Sequence, residues 1–580
     1  MINLKGKAAS PGISIGKVYL LDEDRIQIQD ETLTDEQIKK EIEKFLNAIK
    51  NTEEDILKIK ENVEKSLGAS YGEIFDTHLM FLKDKVLLDK TISEMKRTRK
   101  NSVHVFYRIM KKTQESLISL KDEYLKERAS DIRDIKRRVI RKIQGDERLC
   151  IYQITEPAIV ISRELTPSLT VNLDKSKILG FVTELGGRTS HAAILARALE
   201  VPSVVAVKNL MKNIVPGDTV VIDGNSGNVI INPDAEVLKK YETQKEGLYK
   251  FSKSLEKIIS LPAVSLDGRE VELSANIELP QEIDSVIAYG SHGIGLYRTE
   301  YLYLLKNQTP TEEEQYNEYK SIAQRIYPNP VIIRTIDLGG DKLVKTPKEL
   351  KEDNPFLGWR AIRVCFDYPI MFKTQLKAIL KASTVGNIAI MFPMISGIDE
   401  LYKAKSFVDE SKEELTKEDI KFDENIKIGV MIELPSAVMI AEELAEEVDF
   451  FSIGTNDLIQ YTLAVDRGNV RVSNLFQFFH PAVIKLIKMT IDAGHKKGIW
   501  VGMCGEMAGD PLATYLLIGL GLDEFSVSPL ILSEIKQIIR SINYSDAIKI
   551  SENCLNMKSA EEIEIYLTKI MKEKFPNIPL

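Results

Sequence analysis

Between Thr34 and Gln144, apolar residues recur every three or four positions in a stretch otherwise rich in glutamate and lysine. Ile38, Ile42, Phe45, Leu46 and Ile49 make one stripe, carried on by Ile56 and Ile59, which is the period of an amphipathic helix. Thr34 and Gln37 open the stretch as a capping box, in which each side chain satisfies the other's free backbone N–H. No proline falls between Pro11 and Pro157, and the glycines between them after Gly16 are Gly68, Gly72 and Gly145. Breaks near Gly68–Gly72, Lys83–Asp84 and Lys100–Ser102 predict three or four helices in an antiparallel bundle.

The flanks alternate faster. Residues 1–20 and 158–232 carry short β-type runs (AIVIS, ILGFVTE, SVVAVK and TVVIDGNSGNVII among them) punctuated by glycine turns. The bundle, at 23–145, therefore reads as an insertion into one discontinuous α/β domain made of residues 1–22 and 146–232. Residues 233–260 predict a charged linker helix. From 261 to 580, eight short runs alternate with helical stretches: 271–278, 293–300, 331–337, 388–394, 428–434, 450–457, 500–506 and 524–529. Eight strands separated by helices predict a TIM-type (β/α)8 barrel, and the whole a multidomain α/β protein.

Composition narrows the class without deciding it. At 580 residues the chain suits about three or four domains. Its net charge of −8 gives no broad basic surface for nucleic acid. No stretch approaches the ~18 apolar residues that span a bilayer, and no cleavable leader is evident. Cys150, Cys365, Cys504 and Cys554 lie far apart without a CxxC, which argues against a disulfide frame or zinc site and for a reducing cytoplasm.

The candidate chemistry sits in two places. In GGRTSHAAILAR (186–197), His191 stands where Thr189 and Ser190 can cap a helix built of strong helix formers. A helix start binds anions and disfavours an imidazolium, so the ring is kept neutral and nucleophilic. The second place is the barrel mouth. The strand-like runs are apolar at first and end on Arg298 and Glu300, Arg334 and Asp337, Glu433, Asn456 and Asp457, or Cys504 and Glu506, and barrel enzymes place chemistry on that face. Glu433 and Asp457 with Asn456 suit a Mg²⁺ that is completed by substrate oxygens. Arg298, Arg334 and Arg467 suit a small, multiply charged anion, each pair being worth about 4 kcal/mol at ~4 Å and an effective dielectric of ~20. Cys504 reads as a proton donor, its thiol kept neutral with help from Glu506.

Seven blocks in order, GGRTSHAAILAR, GLYRTEYLY, RTIDLGGDK, NPFLGWRAIR, IGVMIELPSA, FFSIGTNDLIQYTLAVDRGN and VGMCGEMAGD, together with GKAASPGISIGK at the start, resemble the phosphoenolpyruvate-protein phosphotransferases, enzyme I of the bacterial sugar phosphotransferase system. The resemblance implies a swivelling phosphohistidine domain with His191 as the phosphorylated residue. It implies phosphoenolpyruvate held in the barrel by Arg298, Arg334, Asn456, Asp457 and Arg467, Mg²⁺ on Glu433 and Asp457, and Cys504 protonating the enolate to pyruvate. The bundle resembles the docking platform for the phosphocarrier protein HPr; Arg128, in YLKERASDIRDIKRR (124–138), is a contact candidate, and His78 and His104 could also touch a partner. A homodimer through the barrel is implied as well. Two alternatives remain: a pyruvate phosphate dikinase or phosphoenolpyruvate synthase, which needs a large nucleotide-binding domain, and a non-catalytic phosphoenolpyruvate-sensing scaffold, which would have lost His191, Cys504 or a metal carboxylate.

Overall fold

The computed structural model describes residues 1–21, 32–67, 73–118, 123–145, 154, 156–165, 177–186, 193, 196, 201–305, 309–339, 352, 354–467, 469 and 471–575. They form two compact units, Met1–Tyr249 and Lys250–Leu580.

The first unit carries an eight-stranded sheet in the order β1-β8-β7-β3-β4-β5-β6-β2. Its strands are β1 (Ile2–Lys5), β2 (Lys7–Ser10), β3 (Ile13–Leu21), β4 (Ala158–Ser162), β5 (Ile178–Thr183), β6 (Ser203–Val205), β7 (Thr219–Asp223) and β8 (Asn228–Ile231). Side chains alternate across a strand, and here both faces are covered. Val160 and Phe181 enter one apolar cluster, with Ala193 and Ala196 one helical turn apart in the same cluster. Ile159, Ile161 and Val182 enter the cluster opposite.

Between β3 and its parallel neighbour β4 come five helices: α1 (Asp35–Leu67), α2 (Glu73–Leu82), α3 (Lys85–Thr98), α4 (Ser102–Ile118) and α5 (Glu123–Gln144). Three or four were expected. The additional end, after Ile118, has no glycine or proline to announce it. The capping box forms as read, with Thr34 N–H donating to Gln37 Oε1 at 2.8 Å and Gln37 N–H to Thr34 Oγ1 at 3.4 Å. Phe45, Ile49 and Ile56 of the stripe pack with Phe106, Ile132 and Val139. Leu46 departs from the stripe and is 42% exposed, because its neighbour Phe45 takes the inward position. His78 is buried, which removes it as a surface contact.

A helix, Ala235–Glu256, occupies most of the predicted linker. The chain beyond it is tied to the second unit: Lys536 Nζ donates to the Ile259 carbonyl at 2.6 Å, and Arg540 to that of Pro262 at 2.6 Å. That unit is a closed barrel of parallel strands β9 (Glu272–Ile277), β10 (Ile294–Tyr297), β11 (Val331–Arg334), β12 (Ile388–Phe392), β13 (Lys427–Ile432), β14 (Phe450–Ile453), β15 (Trp500–Met503) and β16 (Glu524–Val527), with β16 pairing back to β9. Each predicted run holds one strand, with β13 starting one residue before its run, and every strand ends one to four residues short of the run because the next helix or loop begins there. The polar residue at the end of the run is thereby lifted onto the rim. Among the described residues no helix is long and apolar enough to cross a membrane.

Candidate active site

A cavity of about 420 Å³ opens at the C-terminal ends of the barrel strands. Arg298 follows β10, Arg334 ends β11, Glu433 follows β13, and Cys504 follows β15. Asn456 and Asp457 lie in the first turn of the helix Thr455–Leu463, which starts two residues after β14. All six line the cavity, with Arg467.

The arginines differ in how they are held. Arg334 is paired with Glu300 at 2.9 Å and with Asp337 at 2.9 Å. Arg298 is paired with Glu278. Arg467, at the exposed edge, has no ion pair among the described residues. A fourth guanidinium, Arg360, was not assigned from the sequence. It reaches Asp337 at 2.7 Å and Asp457 at 3.5 Å. Arg360 belongs to the NPFLGWRAIR block, yet it lies on no strand. An antiparallel bridge, Gly339 to Arg360, folds its loop back over the end of β11, and only the motif could have signalled it. Ala361, next to it, has φ +53°, a conformation that costs a non-glycine residue about 1–3 kcal/mol and is characteristic of functional loops.

The carboxylates respond to burial and to one another. Burial opposes ionisation of Asp337, but Arg334 and Arg360 hold it below the usual carboxylate range. Glu300 is raised by burial despite Arg334. Glu433 is raised well above its ordinary value by burial, and further by the nearby Asp457 and Asp337. Met394, at φ +58°, turns its N–H onto Glu433 Oε1 at 2.6 Å. Two polar atoms at the cavity, Asp457 Oδ1 and Arg334 Nε, are buried with no hydrogen-bond partner.

The described lining holds six carboxyl groups and four arginines. The adjacent Glu433 and Asp457, one with an unsatisfied oxygen, fit a divalent cation that takes one or two protein carboxylates and completes its shell with water and substrate. Among the described residues no three His, Cys, Asp or Glu side chains group as an all-protein metal site.

Cys504 is buried, and its thiol is pushed up to about 11 by burial, with Glu433 adding to the effect and Arg334 opposing it. Glu433, Arg334 and Arg298 are the charged groups that act most on the thiol, in place of the expected Glu506, whose carboxylate accepts from Asn456 Nδ2 at 3.4 Å. Two of the remaining predicted residues are not placed here. His191, with Thr189 and Ser190, lies outside the described residues, and Arg128 is on α5 with its side chain outside them. His292 meets Glu272 at 3.0 Å, His495 meets Asp523 at 2.7 Å, and His480 caps the helix Pro481–Lys496, all structural uses.

Known proteins match along the whole chain. Family models described as PEP-utilising enzyme, N-terminal, mobile domain and PEP-binding domain match residues 5–128, 154–227 and 252–544. A phosphoenolpyruvate-protein phosphotransferase of Staphylococcus carnosus is 43% identical over 97% of this chain and 97% of its own. One from Bacillus subtilis is 43% identical over 99% of this chain and 100% of its own. A solution NMR structure of an Enzyme I protein is 39% identical, covering 42% of this chain and 99% of its own, with a TM-score of 0.36. With this identity sustained from end to end, the chain belongs to the phosphoenolpyruvate-protein phosphotransferase family.

Proposed function

We propose that this protein transfers the phosphoryl group of phosphoenolpyruvate to His191, releases pyruvate, and passes the group on to the phosphocarrier HPr. The observation that carries this reading is the barrel-mouth cavity, where four arginines, two adjacent carboxylates and one buried protonated thiol meet. It is an anion site with a proton donor built in.

Arg298, Arg334 and Arg467 would bind the substrate's carboxylate and phosphate through paired hydrogen bonds, with Asn456 as a neutral donor. Arg467 is free to meet the anion first, whereas Arg334 must share itself between substrate, Glu300 and Asp337. Glu433 and Asp457 would hold Mg²⁺, which when bound supplies charge neutralisation at the phosphoryl oxygens. A neutral ring nitrogen of His191 then attacks phosphorus. The N–P bond forms as the P–O bond to the enolate breaks. Cys504 gives its proton to the methylene carbon: the S–H bond breaks, the C–H bond of the pyruvate methyl group forms, and the thiolate regains a proton from water. Attack by HPr on phosphohistidine regenerates the free imidazole.

His191 thus serves two partners in turn. That need supports the domain reading, with a phosphohistidine domain at 1–22 and 146–232, an HPr-docking bundle at 23–145 that includes Arg128, a hinge within 233–260, and a substrate barrel at 261–580. A homodimer through the barrel unit and work in a reducing cytoplasm belong to the same proposal.

The test is incubation with phosphorus-labelled phosphoenolpyruvate and Mg²⁺. Acid-labile, alkali-stable label is expected on the protein, absent from His191→Ala and chased off by HPr. Label retained by His191→Ala would refute the assignment.

A further inference from the structure

Cys504 is the first residue past β15, and the ladder from β15 to β16 registers only Gly502 with Glu524 and Met503 with Phe525. Its peptide is therefore held by other means. The N–H donates to the Ile453 carbonyl at 3.2 Å on the β14 side. The carbonyl accepts from Asn276 Nδ2 at 2.9 Å. Asn276 is on β9, two strands away in the barrel order, so its amide reaches across the interior over β16. There Ser526 Oγ donates to Asn276 Oδ1 at 2.6 Å and fixes which end of the amide faces Cys504. The next residue leaves no slack, since a Cβ at Gly505 would lie 1.9 Å from Thr455 Oγ1.

The inside of the barrel is divided to match. Leu296, Ile332, Met391 and Met431 form an apolar cluster that includes Cys504 at its margin. The polar residues Ser274, Asn276 and Ser526 come from β9 and β16, and the thiol itself donates to the Ile453 carbonyl on β14 at 3.9 Å. The Asn276 backbone takes its place in the ladder opposite Leu296, while its side chain is not part of the substrate cavity's lining. Its one donor contact goes to the carbonyl of the proposed acid.

We propose that Asn276 is a positioning residue for Cys504, with Ser526 orienting it, and that it aims the thiol along the single direction from which the enolate carbon is protonated. The proposal rests on the reading of Cys504 as the proton donor. Removing the amide leaves a buried carbonyl unpaired and frees the Cys504 peptide to turn; a displacement of about 1 Å at a reacting group costs on the order of 10²-fold.

The experiment measures phosphoenolpyruvate binding by equilibrium dialysis and the rate of pyruvate formation by rapid quench, in H₂O and D₂O. Asn276→Ala is expected to slow pyruvate formation by about 10–100-fold, to enlarge the solvent isotope effect on that step, and to leave the Kd for phosphoenolpyruvate within about twofold. Residues that act through one another are non-additive, so Asn276→Ala should cost nothing further in a Cys504→Ala background. Ser526→Ala should show the same signature at smaller amplitude, and it carries the test if Asn276→Ala does not fold. An equal loss in the Cys504→Ala background, or an unchanged isotope effect, would overturn the role given to Asn276 while leaving Cys504 as the acid. Unaltered pyruvate formation by Cys504→Ala alone would instead overturn the reading of the thiol and this proposal with it.

Discussion

Arg360 bridges two carboxylates that need opposite treatment. It holds Asp337 at 2.7 Å and still reaches Asp457 at 3.5 Å, the group proposed for the metal. The planar fork of guanidinium allows that double duty, and a lysine ammonium keeps the charge but not the fork. Breaking a buried pair by removing one partner costs about 3–5 kcal/mol, or roughly 10²–10⁴-fold. Arg360→Met is therefore expected to lower kcat/KM for phosphoenolpyruvate by about that factor, and Arg360→Lys by about tenfold, mostly in KM. Coupled assay of pyruvate release checks both, and wild-type kinetics for Arg360→Met would remove Arg360 from the site. Strand-end reasoning placed Arg298, Arg334, Glu433 and Cys504 correctly on the rim because each stands where an apolar run stops. It could not find Arg360, which reaches the rim by loop closure, and it misjudged the neighbour of Cys504.

At the scale of elements, the barrel strands were legible because each is a buried apolar run bounded by polar residues, and sequence period reports burial. The strand interiors were less so. Glu524, on β16, is 5% exposed inside the barrel, and a β-type run gives no warning of a buried acid. Two glycines make its room: a Cβ at Gly295 or at Gly502 would lie 2.5 Å from one of its carboxyl oxygens. Burial pushes Glu524 up to about 7, with Glu272 and Asp523 adding to the rise and a hydrogen bond from Ser274 opposing it. As pH climbs from about 4.5 to about 7, the unfolded chain loses this proton while the folded barrel keeps it. The unfolded state then binds fewer protons, so stability falls across that window, by up to about 3 kcal/mol for one fully buried group, and stays low above it. Glu318 and Glu534, each also raised to about 7 by burial, act in the same direction. Glu524→Gln should therefore flatten, without abolishing, the decline in barrel stability between pH 5 and pH 7.5. Thermal melts at the two pH values measure it, and an undiminished slope would show that the carboxyl ionises freely in the folded state.

For the whole molecule, the question is whether the helical insertion serves catalysis at the barrel or only delivery to HPr. The sheet of the first unit answers in part. β3 and β4 are parallel neighbours registered from Lys17 with Ala158 to Leu21 with Ser162, so the sheet closes without any strand from the bundle. The bundle has its own apolar core around Phe45, Phe106 and Ile135, separate from the two clusters that cover the sheet. Among the described residues an ion pair crosses between them, Arg133 with Glu164 at 2.7 Å, and a part-exposed pair of that kind is worth at most about 1 kcal/mol. Deleting residues 30–144 leaves about 20 residues between the two strands, more than the dozen or so that a parallel crossover requires. The shortened protein should fold and still take label from phosphoenolpyruvate at a rate within about threefold of the full chain, since neither His191 nor the barrel cavity is removed and uncoupled parts contribute additively. Transfer of that label to HPr should fall below detection, because a small carrier reaches phosphohistidine productively only when a docking surface converts a bimolecular encounter into a positioned one. A deleted protein that passed label to HPr at the normal rate would place the docking surface outside residues 30–144. One that folded but took no label would make the bundle part of the catalytic unit itself.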